Sequence, residues 1–198
     1  MIHKTAIIDS KAKISSNVKI GAYSIIGPNV EIDESSEIQS HVSIVGNTKI
    51  GKNNKIYPFS SIGNDPQDLK YNGEKTNLNI GDNNKIREYV TINPGTSGGG
   101  GLTKIGDNCL FMVSSHIAHN VKIGDNSIIA GQVGIAGSSV IGNNVKIGGQ
   151  AGVSGHLKIG NNVEIAGGSG VIKDIPDNSK VMGYPARNIR EFLKKENR

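Results

Sequence analysis

Within Ser114-Ser115-His116-Ile117-Ala118-His119-Asn120 the chain sets two of its five histidines three residues apart. Imidazole is the side chain whose ordinary pKa lets it accept and return a proton near neutral pH, so this pair is where acid–base chemistry is expected. Of the two, His119 is read as a general base. Ile117 between them keeps a repeat described next, which makes both histidines additions to a fixed frame rather than parts of its core.

The frame is a period of six. Isoleucine recurs at every sixth position from Ile2 through Ile8, Ile14 and Ile20 to Ile62. Small or branched residues such as Ala6, Ala12, Val18 and Val30 stand two places before, and Gly21, Gly27, Gly51 and Gly63 follow directly after. This period belongs neither to a helix nor to a simple alternating strand. It suits a parallel β-helix of triangular section, in which each hexapeptide supplies one short flat strand and a corner, so that about eighteen residues close a coil. The Ile and Val positions then stack as internal ladders, and each coil covers the apolar face of the last.

Two interruptions are expected to be loops thrown out from corners, one over residues 64–78 and one over 93–103. In the first, Asp68 and Glu74 fall where core residues should stand, and Ile80 resumes the original phase. The second is glycine-rich, Asn93 to Gly101, and the repeat restarts one residue late at Ile105. It lacks the Gly-Lys-Ser/Thr ending of a phosphate-binding loop and precedes no helix, so it reads as an insertion or a lid beside a cleft. The later phase continues through Phe111, Ile117 and Ile123 to Val171. The β-helix is therefore expected over 1–175, followed by an exit segment and short helix over 176–198, with Asn188 as N-cap.

Coil arithmetic carries the chemistry further. One coil after His119 is Gly137 and two coils after it is Gly155. Two glycines stacked beside an outward imidazole leave a groove for a long thin donor such as an acyl thioester arm, and an unobstructed N–H at Gly137 would stabilise an oxyanion. His156 falls one coil beyond Ser138 and two beyond Asn120, within reach of the same corner.

Composition narrows the classes. Twenty-seven glycines, 4% aromatic residues and no tryptophan suit a narrow core of small repeated units. The net charge of +5 is scattered, with a group at Arg187, Arg190, Lys194, Lys195 and Arg198. Without an aromatic platform or a binding motif it reads as a solvated face, not a nucleic-acid site. Cys109 is the lone cysteine, so no intrachain disulfide or paired-cysteine zinc site is expected. No apolar run is long enough to span a bilayer and the N-terminus has no signal architecture, which points to a cytoplasmic chain.

The repeats resemble the hexapeptide acyltransferases, and that resemblance implies a left-handed coil. The stretches Gln67-Asp68-Leu69-Lys70-Tyr71, Gly73-Glu74, Ile86-Arg87-Glu88, Val90-Thr91-Ile92, Gly99-Gly100-Gly101-Leu102-Thr103-Lys104 and His116-Ile117-Ala118-His119 closely resemble the bacterial acyl-carrier-protein:UDP-N-acetylglucosamine O-acyltransferases of lipid A biosynthesis. This implies a homotrimer with sites between subunits, no bound cofactor, an acyl-carrier-protein thioester or acyl-CoA as donor, and acylation of the sugar 3-OH. It also implies His119 as base, Gly137 as oxyanion donor, and Asp68, Lys70 and His116 on the sugar nucleotide.

The second half, with Asn120 where that family has an acid and Ser138 where it has a histidine, resembles instead the lipid A N-acyltransferases. The matching stretches are Ile117-Ala118-His119-Asn120-Val121, Ala130 to Gly137, and Ser154-Gly155-His156. An N-acyltransferase or N-acetyltransferase on a UDP-amino-sugar, with His156 assisting, therefore stays open as an alternative. A trimeric zinc hydratase using His116 and His119 as ligands is a further one, and a non-catalytic repeat scaffold a last.

Overall fold

A computed structural model describes residues 1–196. The chain winds as a left-handed parallel β-helix whose short strands stack into three parallel sheets of nine, eight and ten strands. The tenth strand of the last sheet, Arg187–Asn188, is the one antiparallel member among the described residues; it folds back on Lys180–Met182 and ends the coil. Register is set by the six-residue period. Ile8 pairs with Ile26, Ile26 with Ile44 and Ile44 with Ile62, eighteen residues at each step. Each parallel strand points an apolar residue inward, and the buried apolar residues, from Val18 to Val181, form one continuous core. Phe111 is the single aromatic within it. Facing outward across coils are exposed ion pairs, Lys13–Glu31, Lys49–Glu31 and Lys55–Glu37, which contribute solubility more than stability.

Corners need a residue in the left-handed region, and the sequence supplies asparagine at Asn53, Asn83, Asn108, Asn126, Asn144 and Asn162, the non-glycine residue that best tolerates it. One corner shows what the recurrent Ile-Gly-Asp-Asn motif does. Asp107 Oδ1 accepts the amide of Asp82 at 2.7 Å, Asp125 that of Asp107 at 2.8 Å, and Asn143 that of Asp125 at 2.8 Å. Each side chain thus satisfies a corner amide that strand pairing leaves over. The glycine before it is obligatory because the next coil occupies the place of its side chain: a Cβ on Gly124 would stand 2.8 Å from the Gly142 carbonyl carbon.

Both interruptions are loops, with tighter ends than the repeat alone suggests. Strand Asn77–Ile80 resumes pairing at Asn77, so the first excursion closes at residue 76 and not 78. Strand Leu102–Ile105 likewise closes the second at residue 101 and not 103. Asn47 pairs with Asn77, thirty residues on, and Asn77 with Leu102, twenty-five on. The first span exceeds a coil by two whole hexapeptides, which preserves phase. The second exceeds it by seven residues, which is the one-residue slip.

The coil also runs further than Val171. Ile175 bridges to Ile159 and Val181 pairs with Ile165, so an irregular last turn extends the β-helix into the expected exit segment. Helix Ile189–Glu196 follows, and Asn188 Oδ1 accepts the Arg190 amide at 2.9 Å as its N-cap. The Arg187 guanidinium lies 5.0 Å from the Phe192 ring centre and Arg190 is exposed. Of the remaining basic group, Arg198 and the side chains of Lys194 and Lys195 lie outside what is described. No helix among the described residues is long and apolar enough to cross a membrane.

Candidate active site

His119 stands at a corner two residues past the buried Ile117, its side chain one-fifth exposed. The stacking expected from coil arithmetic is present. The Ser138 amide donates to the His119 carbonyl at 2.9 Å and the His156 amide to that of Gly137 at 3.0 Å, which places His119, Gly137 and Gly155 in one file. A Cβ on Gly137 would lie 2.5 Å from both Cε1 and Nε2 of His119, so the imidazole rests directly on that glycine. Among the described residues the Gly137 amide has no hydrogen-bond partner. The Asp/Asn ladder that covers such amides at another corner is missing here, because a glycine stands where the side chain would be.

Three elements converge on His119. From the first loop comes Asp68, whose Oδ1 accepts the Lys70 amide at 3.0 Å in a tight local turn. That turn aims Oδ2 at His119 Nε2, 3.7 Å away. From the second loop comes Thr96, which engages Asn120, and Asn120 Oδ1 meets His119 Nδ1 at 2.8 Å. From the coil itself comes His116, whose Nδ1 lies 2.7 Å from Thr91 Oγ1. Burial, and then the neighbouring His119, hold the His116 pKa below the ordinary histidine value, so His116 is neutral at pH 7.

A cavity of about 450 Å³ opens beside these groups, lined at one end by Gln67, His116 and His119 and at the other by Ile172 and Tyr184. Its floor is a second file of glycines that coil arithmetic from His119 alone did not single out. His116, Gly134, Gly152 and Gly170 are successive register partners on one sheet. Added Cβ atoms at Gly134 and Gly152 would meet nothing, whereas one at Gly170 would strike the Tyr184 ring, so the trough is open along its length and stopped by tyrosine. Strand spacing makes it roughly 14 Å from His116 to Gly170.

The structure brings His119, Gly137, Gly155, Asp68, His116 and Asn120 together at this corner, and exposes the other two expected residues, Lys70 and His156, on the surface of the single chain. Lys70 is exposed, because the turn that aims Asp68 inward sends the next side chains to solvent, and Leu69 beside it is fully exposed. His156 is exposed and is not among the residues lining the cavity. Gln67, Thr96 and Tyr184 were not singled out from sequence as site residues. Gln67 carried a signal in its place beside Asp68 in a stretch resembling the O-acyltransferases, and Tyr184 one in the Val181 to Arg187 segment, which resembles the common exit of hexapeptide acyltransferases. Thiol chemistry is disfavoured: Cys109 is buried, and desolvation pushes its pKa up to about 11. Among the described residues no three His, Cys, Asp or Glu side chains converge as a metal would require.

The description bacterial transferase hexapeptide (six repeats) matches residues 1–34, 102–137 and 138–173. An acyl-[acyl-carrier-protein]–UDP-N-acetylglucosamine O-acyltransferase of Rickettsia peacockii is 48% identical over 119 residues, 60% of this chain and 45% of that protein, so the match spans less than half of that relative's length. The crystal structure of the UDP-N-acetylglucosamine O-acyltransferase (LpxA) of Moraxella catarrhalis superposes with a TM-score of 0.93 at 45% identity, covering 98% of this chain and 77% of that one. LpxA of Acinetobacter baumannii gives a TM-score of 0.94 at 44% identity, covering 100% and 78%. With the hexapeptide description matching more than half of the chain and a 45% identical structure superposing over 98% of it, the chain belongs to the bacterial transferase hexapeptide family, in the branch of the UDP-N-acetylglucosamine O-acyltransferases.

Proposed function

We propose that the protein transfers an acyl or hydroxyacyl group from an acyl-carrier-protein thioester, or acyl-CoA, to the 3-hydroxyl of UDP-N-acetylglucosamine, the acylation that opens lipid A synthesis. The observation that carries the proposal is the seating of His119 on Gly137, a proton acceptor within a few ångströms of an unpaired backbone N–H. The sugar hydroxyl gives its proton to His119 Nε2 while its oxygen bonds to the thioester carbonyl carbon. The negative charge that develops on the carbonyl oxygen is met by the Gly137 amide. Collapse breaks the carbon–sulfur bond, and the thiolate leaves with the proton held by His119. The imidazolium of the middle step faces the Asp68 carboxylate, which stabilises it. Asp68 and neutral His116 border the acceptor, and the acyl chain lies along the glycine trough toward Tyr184.

The working unit in this reading is a cytoplasmic homotrimer. Leu69 at the loop tip and the stacked outer rings Tyr23, His41, Phe59 and Tyr89 are the surfaces a second copy would cover. Transfer to an amine stays the second reading on the strength of Asn120, with His156, the group that would assist it, exposed on the single chain. Purified protein is incubated with hydroxyacyl-carrier-protein or acetyl-CoA and either UDP-N-acetylglucosamine or its 3-amino analogue, and products are read by mass spectrometry. Ester formed on the plain sugar supports the proposal; product from the amino sugar alone would replace it with N-acylation.

A further inference from the structure

The glycine-rich loop has no residue lining the cavity; Ser97 in it is tied to Glu74, while Thr96, whose hydroxyl oxygen stands 3.4 Å from His119 Nδ1, makes its shorter contacts to one side chain, Asn120. The Thr96 amide donates to Asn120 Oδ1 at 3.0 Å, the Thr96 hydroxyl lies 2.8 Å from the same oxygen, and the Thr96 carbonyl accepts Asn120 Nδ2 at 3.0 Å. Thr103 Oγ1 accepts the Asn120 backbone amide at 2.8 Å. Gly99 is pressed onto the carboxamide, where a Cβ would stand 2.6 Å from Oδ1. Asn120 is 3% exposed and Thr96 5%, so water does not compete for these bonds.

The amide cannot be turned over. A backbone N–H can only donate and a carbonyl can only accept, so Thr96 dictates which end of Asn120 is oxygen. That oxygen lies 2.8 Å from His119 Nδ1 and has no proton to give. The proton between them therefore belongs to His119. On the other side of the ring Asp68 favours a proton on Nε2, but at 3.7 Å it lies beyond hydrogen-bond range, so the shorter contact decides. His116, the other titratable group facing His119, is neutral and unbiased in this contest.

We propose that the loop between Asn93 and Gly101 is a positioning clamp, in which Thr96 fixes the Asn120 amide so that Asn120 holds His119 as its Nδ1–H tautomer and leaves Nε2 bare to take the acceptor's proton. Thr96 and Asn120 are positioning residues, and the inference rests on His119 being the base. A neutral amide orients the ring as a carboxylate would, without adding a charge that raises its basicity.

The test is imidazole ¹⁵N NMR on the full chain above the His119 titration, alongside kcat against pH. The native chain should show a protonated Nδ1 and a bare Nε2. Asn120→Ala should shift His119 to the Nε2–H form that free imidazole prefers and lower kcat by between about 10²- and 10⁴-fold with KM little changed. Asn120→Asp should keep the Nδ1–H form and most of the activity, while the acid limb of the pH profile moves up by about one unit. An Nε2–H signal in the native chain, or an unmoved limb in Asn120→Asp, overturns the clamp. Should Asn120→Ala misfold by circular dichroism, native and Asn120→Asp decide alone. The tautomer is read without substrate, so absence of acyl transfer would refute the proposed function and leave this result standing.

Discussion

Two corners of the same β-helix share a backbone and differ in use. At one, Asp107, Asp125 and Asn143 reach back to cover the corner amides of the preceding coils, and glycines one position earlier make room for them. At the other, the corresponding positions carry His119, Gly137 and Gly155, and the Gly137 amide is left unpaired under the imidazole. At each of these two corners the frame leaves backbone N–H groups that strand pairing does not use. Whether such a group is absorbed as stability or exposed as an oxyanion donor depends on a single side chain, and a site is obtained here by removing one.

The largest effects should separate the corners cleanly. His119→Ala is expected to lower kcat by between about 10²- and 10⁴-fold with the melting temperature unchanged. Gly137→Ala should be comparably damaging, since its Cβ drives the ring off Nε2's working position, again with folding retained. Gly124→Ala makes the same chemical change at the other corner, against backbone that cannot yield. It should cost about 1–3 kcal/mol in urea unfolding and leave kcat alone. If Gly124→Ala lost activity or Gly137→Ala lost mainly stability, the division between structural and chemical corners would be mistaken.

Next in size is the trough. Gly152 faces open space, so Gly152→Val should fold normally and obstruct the floor. Long acyl donors should lose at least about tenfold in kcat/KM through a raised KM, because the lost contact is ground-state binding, while acetyl donors are spared. Equal loss for both would place the acyl chain elsewhere. Smaller still is Asn143→Ala, which uncovers the Asp125 amide at an exposed corner. It should cost about 1 kcal/mol, seen as a fall of roughly 2–4 °C in Tm, with activity intact.

The sequence exposed one side of this comparison more readily than the other. A strict eighteen-residue coil fixes neighbours by addition, so His119, Gly137 and Gly155 could be stacked before any coordinates, and the core ladders with them. Loops have no period. Nothing in the spacing of Asp68 and Lys70 says that one faces His119 and the other solvent, since the Asp68 turn decides it. His156 was placed near the site by the same addition that placed Gly137, and its backbone does lie beside Gly137, but addition locates a Cα and not a side chain, and the side chain is exposed on the single chain. Asn120 and His156 share the corner position with positive φ; only Asn120 is drawn inward, and only because the second loop covers it.

The two corners should also part company in acid. Glu74 in the first loop accepts the Asn72 amide at 2.8 Å and, through its other oxygen, the Ser97 amide and hydroxyl at 3.1 Å each, so that it ties the loop bearing Asp68 to the loop bearing Thr96. Those bonds, Asn72 first and Ser97 next, lower its pKa from 4.5 to about 2. A carboxylate with a lowered folded pKa contributes its stabilisation above the unfolded value, and that contribution fades as pH falls from about 4.5 through about 2. Amide exchange at Ser97 should therefore lose protection across this interval. Asp125 N–H, held by the neutral oxygen of Asn143, has no proton to compete with and should keep its protection. Glu74→Gln should open Ser97 at every pH and remove the acid transition. Loss of protection at both amides together would mean that the whole coil, and not the link between the loops, yields first.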